Sequence, residues 1–213
     1  MGVKERRERE KIETREIILD AARELFAAEG YDGVSMRKVA EKIEYSPTAI
    51  YVHFKDKEEL FHELCHADYA RLAAEFQSAA LPVDPIERIR VIGQTYINFG
   101  LQYPNHFKLM FMTHNPHKHN ELNELDREVK GNPEKDSYAF LMQTIHEAMG
   151  KNAFRDELNN AELVAQTLWA GVHGVVALQI TQSGDAWVEW QPIEQRAQTM
   201  IDAILRGLLK EPR

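Results

Sequence analysis

Gly33-Val-Ser-Met-Arg-Lys-Val-Ala-Glu-Lys-Ile-Glu-Tyr-Ser-Pro-Thr-Ala-Ile-Tyr-Val-His-Phe54 holds two helix starts within a very short stretch. Ser35 is placed to cap the first, because a serine hydroxyl accepts one of the orphan N–H groups of a first helical turn. Met36, Val39, Ala40 and Ile43 then form one apolar face. Glu44-Tyr45 turns the chain and Ser46 caps a second helix, with Pro47 at a first position that needs no N–H. Ile50, Tyr51 and Phe54 give this helix its buried side. Asp56 and Glu59 have the spacing of a capping box at the head of a third, longer helix. Two short helices, a tight turn and a longer flanking helix make a helix-turn-helix pattern.

The second helix, Pro47 to about Phe54 within a recognition segment of about 46–54, is roughly 12 Å long at 1.5 Å per residue. A segment of that size can enter a DNA major groove with its leading side chains on base edges. Tyr45, Ser46 and Thr48 stand at that leading end, while Arg37, Lys38, His53, Lys55 and Lys57 can reach phosphates on either side. A helical hairpin whose caps only stabilise it accounts for the caps and the periodicity equally well.

Outward from this stretch the periodicity remains helical. Ile17, Ile18, Ala21, Ala22, Leu25 and Phe26 recur on one face, and Gly30 sits where a C-terminal cap belongs. Leu60, Phe61, Leu64, Leu72 and Phe76 repeat the pattern, as do Leu163, Gln166, Thr167, Ala170, Gly171, Gly174 and Leu178 with smaller residues. Ala186–Trp190 is a weak strand candidate. Leu81-Pro82-Val83-Asp84-Pro85 ends one helix and starts another, Tyr103-Pro104 breaks the next, and 115–133 reads as a polar loop with a short helix at 121–129. The expected fold is all-α with about nine helices: a helix-turn-helix domain over 12–60, a linking helix over about 56–80, and a second helical domain over 82–213.

From Thr14 to Leu64 the chain resembles the N-terminal domain of the tetracycline-repressor (TetR) family of bacterial one-component regulators. The likeness runs through Ile18-Leu-Asp-Ala-Ala-Arg-Glu-Leu-Phe26, Gly30-Tyr-Asp-Gly-Val-Ser35, Val39-Ala40, Ile50-Tyr51, His53-Phe54 and Lys57-Glu-Glu-Leu60. It implies that Thr48 approaches bases, that Tyr45, Ser46, Tyr51, His53 and Lys57 hold phosphates, and that Ser35 and Arg37 contact the backbone from the preceding helix. Pro47 lies where some members carry a residue able to donate to DNA, and Val52 where a second aromatic is frequent. Both departures leave the operator sequence open.

Charge tests the DNA expectation. The 213 residues carry 26 Lys and Arg against 34 Asp and Glu, a net of −8, which argues mildly against a polyanionic partner. Locally the sign reverses: residues 1–11 sum to +2 and residues 35–57 to +2, leaving −12 elsewhere. Alternating charge on a solvated helix explains the first segment as well as phosphate contacts do. The single cysteine, Cys65, rules out an internal disulfide framework and points to a reducing compartment. With no run of 18 uninterrupted apolar residues and no apolar leader at the start, the expectation is a cytoplasmic protein that does not meet a membrane.

His62-Glu63-Leu64-Cys65-His66 is a literal H-E-x-x-H, which on a helix sets two imidazoles on one face beside a glutamate able to activate zinc-bound water. A zinc hydrolase is therefore the alternative function. Against it, no glycine and third histidine follow, and the motif falls directly after the helix-turn-helix. His114, His117 and His119 also cluster, at a spacing that matches no zinc framework. No metal, no cofactor and no catalytic activity are expected.

In the second half, Tyr96, Phe99, Phe107, Met110, Phe111, Tyr138, Met142, Trp169 and His173 supply bulky apolar groups with a few polar tips. Most serve as core, and part of the set is expected to line a cavity for a small-molecule effector. Trp169-Ala-Gly-Val-His-Gly174 resembles the signature of a TetR C-terminal subgroup named after Trp, His and Gly, which implies that Trp169 and His173 face that cavity. The last two helices, about 159–180 and 192–209, carry small residues and an apolar stripe of Ile201, Ile204, Leu205 and Leu208. The resemblance makes them the homodimer interface, a four-helix bundle. The function expected from all this is a ligand-responsive dimeric repressor on a palindromic operator.

Overall fold

The computed structural model describes residues 2–114 and 124–210. In chain order its helices are α1 (Val3–Gly33), α2 (Met36–Lys42), α3 (Pro47–Tyr51), α4 (Lys57–Ser78), α5 (Pro85–Gln102), α6 (Pro104–Phe107), α7 (Glu124–Val129), α8 (Ser137–Gly150), α9 (Ala161–Gln182) and α10 (Ile193–Leu208), with a π-helical turn at Lys108–Met112. No strand occurs among the described residues, where the only β pairing is one antiparallel bridge between Phe154 and Leu209. The strand candidate at Ala186–Trp190 is thereby corrected. Asp185 accepts the Trp187 N–H at 2.9 Å, a local bond that competes with extended pairing.

The chain forms two compact units that part within α4, between Tyr69 and Ala70, rather than at Pro82. The N-terminal unit includes α1, α2, α3, the first half of α4 and the stretch that begins at Asn105. Its core gathers Ile18, Ala22, Phe26, Val39, Ala40, Ile50, Phe54, Leu60, Phe61, Leu64 and Leu109. Phe26 and Tyr31 stack at 5.9 Å, and the Phe61 ring stands edge-on to both, at 4.9 and 5.1 Å. Gly30, at φ +72°, breaks α1 at the position where the sequence calls for a cap. That break lets Tyr31 fold back over Phe26.

In the turn between α2 and α3, the Tyr45 N–H reaches back to the Ala40 carbonyl at 2.9 Å. This geometry holds Glu44 at φ +59°, in the left-handed region that costs a residue with a Cβ about 1–2 kcal/mol.

The second unit contains the rest of α4 with α5, α7, α8, α9 and α10. Asp84 caps α5 through the Ile86 and Glu87 N–H groups, both at 3.0 Å, ahead of Pro85. α9 packs against α5, α8 and α10 with Val164, Ala165, Val172, Val175 and Val176. Gly171 allows the close approach of α10, since a Cβ there would collide with Ile204 and Met200. Ile201, Leu205 and Leu208 are buried within this unit, so the stripe expected at a subunit interface belongs to the protomer's own core.

The outward face of α9 runs through Leu163, Thr167, Ala170, Gly174 and Leu178, of which Leu163 is 54% and Leu178 48% exposed. Averaged over 18 residues the hydropathy of α9 reaches 1.4, long and apolar enough to cross a membrane by length and composition. The lack of an uninterrupted apolar run does not capture this, because Gln166, Thr167 and His173 interrupt the run without outweighing its valines and leucines.

Glu44→Gly removes the left-handed cost and loses part of the gain to unfolded-chain entropy, so it should stabilise the protein by about 0.5–1 kcal/mol. Thermal unfolding checks this, and an unchanged or lower midpoint would contradict the assigned strain.

Candidate nucleic-acid interface

The caps form as the sequence requires. Ser35 Oγ accepts the Lys38 N–H at 3.2 Å, Ser46 Oγ accepts the Ala49 N–H at 3.3 Å, and Asp56 Oδ1 accepts the Glu59 N–H at 2.8 Å. Glu59 closes the box one residue early, on the Lys55 N–H instead of that of Asp56. With Ile50 and Phe54 buried beneath, α3 offers solvent the opposite surface. Tyr45 (41% exposed), Ser46, Pro47, Thr48 and Tyr51 (54%) all stand on it, which corrects the expectation that Tyr51 lies on the buried side. Val52, at 68%, shares that exposure although the sequence reading does not count it among the site residues. Its position beside Tyr51, on a helix too short to hide it, is the available signal.

The cations differ in how they are held. Arg37 reaches Glu41 at 2.8 Å with most of its side chain in water, an exposed pair worth little and readily exchanged. Lys38 is bound to Glu29 at 2.6 Å and to the Gly33 carbonyl at 2.8 Å. Lys57 donates to the Tyr31 carbonyl at 3.0 Å and sits 4.1 Å over the Tyr31 ring, so in this structure it braces the core. Arg15, which the sequence does not flag because it lies far from the motif, stands 5.0 Å over the Phe54 ring and pairs with Glu63 at 2.6 Å.

His53 is half-buried, with Nδ1 buried and lacking a hydrogen-bond partner. Burial, then Lys11 and Arg15, pull its pKa below the usual histidine value. The basic N-terminal segment is the first part of α1, and there Arg6 pairs with Glu10 and Arg9 with Glu13 along the helix.

The competing H-E-x-x-H lies on α4. Its Glu63 is turned to Arg15, and among the described residues no group of three or more His, Cys, Asp or Glu gathers as a metal site would require. His114 is exposed, and His117 and His119 lie outside the described residues.

The proposed effector residues fall in both units. Phe107 and Met110 are fully buried in the N-terminal unit, where Phe111 packs edge-on to Tyr69 at 5.8 Å. Tyr96, Phe99, Tyr138, Met142, Trp169 and His173 belong to the other. There Trp169 Nε1–H donates to the Tyr96 hydroxyl at 3.0 Å, and that hydroxyl lies 3.0 Å from His173 Nδ1. A Tyr96 proton directed at Nδ1 goes with the ring hydrogen of neutral His173 on Nε2. Burial lowers the pKa of His173 in the same sense. Tyr138 lies 6.1 Å from the Trp169 ring and donates to Glu162; burial first and then that bond push its pKa up to about 12. Phe99 is buried on α5 and Met142 half-buried on α8. A cleft of about 310 Å³ in the N-terminal unit, between the end of α1 and the π-helical turn, includes none of these side chains.

Two family models match the chain: "Bacterial regulatory proteins, tetR family" over residues 18–64, and "Tetracyclin repressor-like, C-terminal domain" over residues 89–204. Among named relatives, the HTH-type transcriptional repressor AcnR of Corynebacterium diphtheriae is 46% identical over 59 residues, 28% of this chain and 31% of that protein. The HTH-type transcriptional regulator AcrR of Shigella flexneri is 40% identical over 83 residues, 38% of each. The likeness thus spans about a third of each relative.

Solved structures share the fold along nearly the whole chain. A TetR-family regulatory protein from Rhodococcus RHA1 superimposes with a TM-score of 0.71 at 16% identity, over 93% of this chain and 98% of its own. A putative TetR-family regulator from Vibrio parahaemolyticus gives 0.66 at 20%, over 92% and 99%. The C-terminal model alone spans more than half the residues, and the N-terminal model falls on the helix-turn-helix: the chain belongs to the TetR family of bacterial regulatory proteins.

Proposed function

We propose that this protein is a homodimeric repressor that reads a palindromic operator with α3 and releases it when a small molecule binds the C-terminal unit. The observation that carries the proposal is the exposed leading end of α3. Tyr45, Ser46, Thr48 and Tyr51 face water there while Ile50 and Phe54 anchor the helix below. Thr48 reads bases, and Ser35, Arg37, Tyr45, Ser46, Tyr51 and His53 meet phosphates, joined by Lys57 when it trades the Tyr31 carbonyl for a phosphate. Such a partner has the protein working in the cytoplasm, on the chromosome.

Two-fold symmetry then sets half-sites about 34–36 Å apart or a multiple of that. The outward apolar face of α9 supports pairing with a second copy. The Tyr96–Trp169–His173 cluster supports the finer likeness to the Trp-His-Gly subgroup, with these groups beside the effector. By linkage, effector and operator weaken each other by the same factor.

Gel shifts on the DNA upstream of its own coding region test the core of the proposal. Thr48→Ala should lose about 1–3 kcal/mol on that DNA, and Tyr51→Ala should weaken all sequences alike. A protein that retards no such fragment even at low salt would overturn it.

Ala170→Arg, on the outward face of α9, should give monomers in sedimentation. A persistent dimer would move the interface elsewhere.

His53 gives a pH dependence of definite sign. In the free protein its pKa is lowered, and a phosphate against the ring raises it, so binding takes up a proton. Operator affinity should therefore rise as pH falls from about 7.5 to about 5.5, and His53→Asn should flatten the trend. A slope unchanged in the variant would free His53 from the phosphate role.

A further inference from the structure

We infer that Arg23, Asp68 and His106 are positioning residues for the DNA-reading helices, a clasp through which the 104–112 segment holds α1 and α4 in register. Asp68 is 1% exposed, one of the two buried polar or charged residues found in the described core. Arg23 Nε lies 3.2 and 3.3 Å from its two carboxylate oxygens, and Nη2 lies 3.1 Å from Oδ1. From α6, His106 Nδ1–H donates to Oδ1 at 2.8 Å. Arg23 is also tied to Asp20 at 2.6 Å, which holds the guanidinium in place along α1.

A carboxylate this deeply buried is stable only while its partners remain, because removing one leaves a charge without compensation. The three residues come from three separate helices, so the carboxylate makes the placing of each depend on the other two. α1 and α4 also share one apolar core with α2 and α3, through Ile18, Ala22, Phe26, Leu60, Phe61 and Leu64, and α2 packs on both α1 and α3. A displacement of the 104–112 segment that draws His106 away is then felt at the base of the reading helix.

The chain carries its own control. Arg15–Glu63 also joins α1 to α4, at 2.6 Å, but it is partly exposed and does not include residues 104–112. Of the two pairs, only Arg23–Asp68 connects onward to α6, through His106.

The inference rests on the DNA-binding reading for its purpose but not for its test. Hydrogen exchange on the full-length protein, without DNA or effector, reads the coupling directly. His106→Ala should speed exchange about tenfold or more in the 104–112 peptide and also in α2 and α3. Arg15→Ala should leave the 104–112 peptide at its wild-type rate. Because Nδ1 is the contacting atom, His106→Asn, whose amide can donate from the same place, should restore protection, and His106→Gln should not. Faster exchange confined to 104–112, or equal behaviour of Asn and Gln, would overturn the clasp. Failure to bind DNA, with the exchange pattern as expected, would instead overturn only the proposed function.

Discussion

Helices of seven and five residues do not hold together alone in water, because the first turn costs more order than its few hydrogen bonds return. α2 and α3 are of that length, and everything around them answers the deficit. Serine caps take up N–H groups that the short helices leave over. A proline starts α3 already bent to the helical φ. Beneath them the Phe26–Tyr31–Phe61 cluster and the flanking helices supply the apolar surface that two short segments cannot supply for each other. The turn between them is so tight that a glutamate accepts a left-handed backbone.

The same deficit explains why the N-terminal unit reaches along the chain for help. Leu109 belongs to its core although it lies more than forty residues beyond the end of the helix-turn-helix. The Tyr69 hydroxyl donates to the Met110 carbonyl at 3.3 Å, within a π-helical turn whose wider winding leaves carbonyls less regularly satisfied. Burial first, and then the neighbouring Cys65 and Asp68, push the Tyr69 phenol well above its usual pKa. A domain boundary drawn by proline and composition at Pro82 cannot register such a return.

What the sequence made legible was local. Ser35, Ser46, Pro47 and Pro85 act within a few residues of themselves, so their roles could be read from spacing, and the helices they start begin within a residue or two of expectation, although α3 ends at Tyr51, three residues short of Phe54. What it hid was which of two possible neighbours a side chain meets. Leu205 has the spacing of an interface residue and is instead core, because helical periodicity gives a face but not the body that face packs on. Lys57 has the charge for a phosphate and is spent in this structure on the Tyr31 carbonyl. Arg15 and Asp68 belong to no motif, and their partners lie 48 and 38 to 45 residues away in the chain. Phe107 and Met110 read as cavity-lining groups until the fold assigns them to the other unit.

Pro47 has a consequence beyond starting α3 well. Of the N–H groups that a helix normally leaves over at its head, proline removes one and Ser46 takes another through Ala49. The leading end of α3 is therefore poor in amide donors and rich in hydroxyls, with Ser46 and Thr48 set side by side around a pyrrolidine ring. A hydroxyl rotates between giving and accepting a hydrogen bond, whereas an amide N–H only gives. The surface that results is uncharged and chemically two-sided, and it is better suited to telling neighbouring groups apart than to gripping any one of them.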